Sequence, residues 1–206
     1  MSKKNKITIL ITILLIFPLL NGINILQNGW ERKDLDLSLV YSAKSDREMM
    51  AAIHKLSKRE ILDLYYLLPE PKEEFPIGDY EGELVEVGVM SPFSGFYTHH
   101  IFGPGRWKGK TISKENDSYI GFNRFCGNED CSSLLKEKRF LLKLAHSRID
   151  QKLSWTLDYS SFNDGLVHGM YDELRPIKKN IFLGMGTMSV GGGALNPAPF
   201  LLITKN

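Results

Sequence analysis

The sequence predicts a mostly β protein, an antiparallel barrel preceded by N-terminal helices. Three observations carry that expectation. Segments after Phe75 alternate apolar and polar residues with period two. Short turn-like stretches join those segments one after another, as in an antiparallel meander. Two serine-led helix starts precede them, and Pro69 and Pro71 stop the second helix. A meander of about six to nine strands commonly closes on itself, because closure removes its unpaired edges.

The helices come first. Ser45-Asp-Arg-Glu48 and Ser57-Lys-Arg-Glu60 both fit a capping box, in which serine and glutamate satisfy each other's orphan amides. After Ser57 the residues Ile61, Leu64, Tyr65 and Leu68 recur at helical spacing. A helical hairpin over about residues 46–68 follows. Leu84, Val85 and Val87 predict a first strand behind Gly82. Residues 140–146 and 153–159 predict two strands around Ile149-Asp150-Gln151-Lys152. In the second, Leu153, Trp155, Leu157 and Tyr159 share one face while Ser154, Thr156 and Asp158 share the other. Residues 166–177 and 180–188 read as another hairpin around Lys178 and Lys179, and residues 200–204 as a last strand.

Size and charge narrow the function. The chain has 206 residues, 43% hydrophobic and 24% charged, which suits one domain plus an appendage and excludes disorder. The net charge of +2 is unevenly spread, because Lys3, Lys4 and Lys6 lie ahead of the first acidic residue. Removing them from the 26 basic residues leaves 23 against 24 acidic, a net charge of −1. Nucleic acid is therefore not an expected partner, since the domain has no cationic surplus to displace counterions. The three lysines precede Ile7 to Leu20, fourteen residues that are aliphatic apart from Thr8, Thr12 and Pro18, plus Phe17. A basic region followed by an apolar run is the pattern of an export signal. Fourteen helical residues reach about 21 Å, short of a hydrocarbon core of roughly 30 Å. No small-x-small cleavage site is evident, and no cysteine follows the run to take a lipid. Residues 1–26 are thus read as a signal peptide or membrane anchor, 27–44 as a linker, and 45–206 as the helical lead-in with its barrel. The expected location is the periplasm or cell envelope, with the segment either cleaved or held in the inner membrane.

The two cysteines, Cys126 and Cys131, enclose four residues including a glycine. In an exported protein this spacing reads as a small disulfide loop. A metal site would need two further ligands, and a redox motif would have two intervening residues.

Two pentapeptides, Gly78-Asp-Tyr-Glu-Gly82 and Gly105-Arg-Trp-Lys-Gly109, place an aromatic between glycines. That suits a strand start where the backbone bends sharply and a ring covers the barrel end. The segment from Leu64 to Phe75, followed by the first pentapeptide, resembles the opening of a bacterial lipocalin-like family with a Gly-x-Trp-x-Gly motif. Trp107-Lys108-Gly109-Lys110 resembles that family's later Trp/Tyr-x-Gly-Lys segment. Asp172-Glu-Leu-Arg-Pro176 and Leu183-Gly-Met185 resemble its C-terminal strand pair. The similarity spans about residues 60–204 and departs from the motif at Tyr80 and at the glycine-rich stretch 184–193. It implies a lipocalin-like barrel with a pocket and supplies no reaction.

Candidate site residues follow from the barrel expectation. His99 and His100, adjacent on a strand, would point to opposite faces and could not chelate one metal, so no metal or cofactor is expected. Either one packs and one is solvated, or the segment is a pocket lid whose histidine meets a ligand's head or acts as a base. No Gly-x-Ser-x-Gly elbow is present, and Gly184–Gly193 lacks the Lys-Ser/Thr end of a phosphate loop. Tyr171, Glu173 and Arg175 would share one strand face, opposite Met170, Asp172 and Leu174. If the first set faces inward, the barrel has a polar site. If outward, it forms a salt-bridged face, with Asp172 pairing Arg175 at a strand end. The leading function is a binding module for a small hydrophobic or amphipathic molecule or lipid, held by Trp107, Arg124, Trp155, Tyr159, Tyr171 and Arg175 with His99 or His100. An enzyme using His99 or His100 with Glu173 is the second reading. An envelope protein whose own side chains fill the barrel is the third.

Overall fold

The structure, a computed structural model, describes residues 3–29, 36–72 and 74–204, with side chains from Ile16 onward. Eight strands follow one another around a closed antiparallel barrel: β1 (Gly78–Leu84), β2 (Trp107–Glu115), β3 (Ser118–Cys126), β4 (Leu134–His146), β5 (Leu153–Asp158), β6 (Met170–Lys178), β7 (Ile181–Met188) and β8 (Ala198–Thr204). β8 pairs back onto β1, so no strand edge is left unpaired. One end carries short turns. β2 and β3 are joined by Asn116 and Asp117, both in the left-handed region at φ 47° and 64°, as a type I′ hairpin turn requires. The other end carries the long connections, residues 85–106, 127–133, 159–169 and 189–197.

The first strand starts earlier than Leu84 suggests. Val85 and Val87 lie beyond β1, where Glu86 accepts from Gly88 N and Ser91 Oγ accepts from Val87 N, turning the chain out of the sheet. Within 166–177, residues Gly165–His168 form one helical turn before β6 begins.

Two apolar cores result, one on each side of the sheet. Inside the barrel, Phe75, Tyr80, Trp155 and Phe182 form an aromatic floor at the short-turn end, with ring centroids 5.0 to 5.8 Å apart. Such tilted and edge-on contacts suit the ring quadrupoles. Outside, the helical hairpin covers β7 and β8. It consists of α3 (Asp46–Ile53) and α4 (Lys58–Leu67), after the α1 helix (Lys3–Asn28) and the single turn α2 (Ser38–Tyr41). Ile53, Ile61, Leu64 and Leu68 pack there against Ile181, Leu183, Met185 and Leu201. Ser57 and Glu60 make the reciprocal capping box. At Ser45 only half of it forms, because the Glu48 carboxylate accepts from Lys44 N instead.

The glycine-flanked aromatics mark a close crossing of β1 and β2. A Cβ on Gly82 would strike the Trp107 ring, and one on Gly109, at φ +111°, would strike the Tyr80 carbonyl. Only glycine fits either place. The Trp107 indole is thereby laid over β1, toward the barrel axis.

The α1 helix ends against the long-connection end of the barrel. Its Asn21, Asn24 and Asn28 form one buried stripe. Asn24 Nδ2 donates to Val87 O (3.0 Å) and Asn196 Oδ1 (2.9 Å), and Asn28 Nδ2 donates to Leu195 O (2.9 Å). No helix of the described residues is long and apolar enough to cross a membrane. The side chains of Lys3, Lys4 and Lys6 and residues 30–35 of the linker lie outside the described residues. Cys126 and Cys131 are disulfide-bonded, which is consistent with an extracellular or periplasmic location.

Candidate functional site

Between the aromatic floor and α1 lies a cavity of about 190 Å³. Its wall is mostly apolar: Phe102, Trp107, Met170, Met188, Pro199 and Phe200, with Phe17, Asn21 and Asn24 of α1 closing the top. Three polar side chains interrupt that wall from below, Lys110, Asn123 and Asp172. They sit on β2, β3 and β6 at inward positions, which the alternation of each strand fixes through its apolar neighbours Ile112, Phe125 and Leu174.

Lys110 is the centre of this group and only 2% exposed. Its ammonium donates to Asn123 Oδ1 (2.8 Å), to the Tyr159 hydroxyl (2.7 Å) and to Asp172 Oδ2 (2.9 Å). An ammonium has three donors, so all are used. The rest of the network has matching polarity. Trp107 Nε1 donates to Asn123 Oδ1 (3.0 Å), Asn123 Nδ2 donates to Tyr159 OH (3.1 Å), and Tyr159 OH donates to Asp172 Oδ2 (2.8 Å). Four rings surround the cation, those of Trp107, Phe140, Tyr159 and Phe200, with centroids 5.2 to 5.7 Å from Nζ. Their faces favour a positive charge. Burial pulls the Lys110 pKa down, and the Asp172 carboxylate offsets part of that. Burial and the negative charge of Asp172 push the Tyr159 hydroxyl well above its ordinary value. The phenol is thus a permanent donor near neutral pH.

Asp172 differs from its partners in having capacity left. Both of its hydrogen bonds fall on Oδ2, and Oδ1 receives none from the described residues. Gly186 on β7 faces that oxygen. A Cβ there would lie 3.2 Å from Oδ1, so the glycine keeps the approach open.

A second polar cluster lies on the outer surface of the same sheet, under α4. The Arg175 guanidinium clasps Asp150 through two contacts of 2.6 Å and donates to Ser154 Oγ (2.9 Å) and Tyr65 O (3.1 Å). Glu173 accepts from Tyr65 OH (3.0 Å), Arg148 N (2.7 Å) and Ser147 Oγ. Burial raises the Glu173 pKa, partly opposed by those donors. Burial also disfavours the Arg175 charge, but Asp150 and its neighbours more than compensate and raise its pKa. This cluster fastens the β4–β5 turn and α4 to the barrel.

The structure separates the expected site residues into groups. Trp107 and Tyr159 belong to the Lys110 network. Trp155 lies in the aromatic floor, with ring centroids 5.6 Å from both Phe75 and Tyr119. Tyr171 and Arg175 are on the outer face, with the Arg148 guanidinium stacked 3.6 Å over Tyr171. Arg124 is also outside, crossing Gly109 to reach Asp79 (3.0 Å) and Tyr80 O (2.6 Å). The 97–102 segment is a π-helical turn, not a strand. There His99 Nδ1 accepts from Trp107 N (3.0 Å), while His100 is exposed against Phe96. Burial, His100 and Arg106 lower the His99 pKa. Glu173 is bonded to Tyr65 and Ser147 under α4 whereas His99 is bonded to Trp107 N at the start of β2, and the two share no hydrogen-bond partner among the described residues. Among the described residues no cluster of His, Cys, Asp and Glu could hold a metal.

Lys110, Asn123 and Asp172 are not among the site residues that the sequence points to. Lys110 is one position of a motif there, and the face of Asp172 is left open between the two settings of its strand. The available signal was parity: Lys110 is two residues before Ile112, and Asp172 two before Leu174.

No family model and no curated protein matches the chain. A solved structure, a protein from Thermomonospora curvata, is similar at a TM-score of 0.50 and 13% identity, covering 78% of this chain and 95% of that one. The likeness is one of fold. The chain is an eight-stranded closed antiparallel β-barrel, compatible with a lipocalin-like barrel.

Proposed function

We propose that the protein is an exported carrier that holds a small, largely apolar molecule inside the barrel. One observation supports this above the others. The interior is not filled by its own side chains, but keeps an apolar cavity of about 190 Å³ over a fixed polar base. A cavity of roughly 150 Å³ lined by apolar side chains accepts benzene, so this one suits a single ring or a short branched chain. It lies below the usual range for drug-sized ligands, about 300–1,000 Å³, while α1 is in place. Export is supported by the basic, apolar N-terminal run and by the disulfide.

The test is native mass spectrometry of the full-length chain after incubation with small cyclic hydrocarbons and alcohols. A one-to-one adduct is expected, and Met170→Trp, which fills the cavity from β6, should remove it. The proposal fails if no adduct forms, or if it persists unchanged in Met170→Trp.

A further inference from the structure

The polar base of the cavity specifies what the ligand must carry. Lys110 is the first group one would assign to an anionic head, since a buried lysine in an aromatic pocket suggests a carboxylate partner. Its three N–H bonds are already committed to Asn123, Tyr159 and Asp172. A ligand carboxylate would have to displace one of them, leaving a buried acceptor unpaired. It would also meet Asp172, whose charge is matched once by Lys110 and cannot be matched again. An ammonium head would meet the opposite difficulty, a second cation beside Lys110. At this base either charge would be buried without a free counter-ion; the other cation of the cavity wall, Lys58, sits beside Asn196 at the α1 side.

What the base of the cavity offers, among Lys110, Asn123 and Asp172, is one free acceptor. Asp172 is 3% exposed, lines the cavity, and presents an Oδ1 that takes no hydrogen bond from the described residues. The cavity side of that oxygen is kept clear by Gly186. From this geometry we infer that the site selects neutral alcohols, an apolar body whose single hydroxyl donates to Asp172 Oδ1. The inference rests on the carrier reading above and names its ligand class. No bond is made or broken. The hydroxyl keeps its proton, and the carboxylate remains paired to Lys110 through Oδ2.

The experiment compares matched probes of one skeleton on the full-length protein by calorimetry: cyclohexylmethanol, cyclohexanecarboxylate, cyclohexylmethylammonium and ethylcyclohexane. The alcohol should bind at least about tenfold more tightly than each of the other three, because only it satisfies the free acceptor without adding charge. Gly186→Ala provides the second arm. It leaves Lys110 and Asp172 in place but puts a methyl group beside Oδ1. The alcohol-to-hydrocarbon affinity ratio should then fall toward one. If the carboxylate or the ammonium binds as well as the alcohol, the assignment is overturned while the carrier reading stands. An unchanged ratio in Gly186→Ala also overturns it. If none of the four probes binds, the carrier reading fails and the inference with it.

Discussion

Buried charge sets the behaviour of individual residues here. Lys110 and Asp172 hold each other inside the barrel, with side chains only 2% and 5% exposed. Lys110→Met would leave the carboxylate buried without its cation, and urea denaturation should show a loss of about 3–5 kcal/mol. The double variant Lys110→Met/Asp172→Leu should recover most of that, since an apolar pair can replace an ion pair in a packed interior. Lys58 is a second buried lysine, at the junction of α4 and α1. It donates to Asn196 Oδ1 at 2.6 Å and has no carboxylate in contact among the described residues. Burial lowers its pKa to about 7, with Glu86 partly opposing. Between about pH 7 and its ordinary value of 10.5, the unfolded chain holds a proton that the folded chain does not. Stability from this group therefore rises with pH across that window, by up to about 1.4 kcal/mol per unit, and is flat below it. Lys58→Met removes the dependence. Its stability advantage at pH 7 should shrink at pH 9, as compared by urea midpoints.

Elements are joined to the barrel by polar contacts as much as by apolar ones. The stripe of Asn21, Asn24 and Asn28 docks α1 onto residues 87–89 and 195–196. Asn24 is the key, because its amide both donates to Val87 O and accepts from Val89 N (3.2 Å). Asn24→Ala leaves those buried groups unpaired, and the backbone amide of Val89 should exchange with solvent at least about tenfold faster. The α3–α4 hairpin is fastened differently, by the Arg175–Asp150 clasp and by its apolar face against β7 and β8. The disulfide closes a short loop, five residues from Cys126 to Cys131. Loop-closure entropy for so short a ring is modest, so the double variant Cys126→Ser/Cys131→Ser should lose about 2 kcal/mol in thermal or chemical unfolding.

At the scale of the whole molecule, a barrel covered on part of its outer surface has two buried faces, and this decides what could be read from the chain. Residues 153–159 showed their inward face plainly, because Trp155, Leu157 and Tyr159 alternate with Ser154 and Thr156. Residues 170–175 did not. Glu173 and Arg175 are buried under α4 while Asp172 is buried in the cavity, so both faces carry charge and the alternation gives no direction. Of β2 the sequence marks only the start at Trp107, for a related reason, since the inward face of the strand includes Lys110. The Asn116-Asp117 turn was the local signal for that hairpin. Capping residues, in contrast, act through neighbours in sequence, and the two N-terminal helices were legible from Ser45 and Ser57 alone. The site itself depends on side chains from β2, β3 and β6, with Tyr159 just past β5, meeting across the barrel, which no local pattern encodes.

On the proposed reading the space above Lys110 and Asp172 receives a small apolar alcohol. The most direct measurement is the indole N–H spectrum of tryptophan-labelled protein titrated with cyclohexylmethanol. Trp107 donates into the Lys110 network and lines the cavity, whereas Trp155 lies in the aromatic floor. Binding in the cavity should shift the Trp107 resonance saturably and leave Trp155 nearly still. A Trp107 resonance that does not move, or one that moves only together with Trp155 and without saturation, would contradict it.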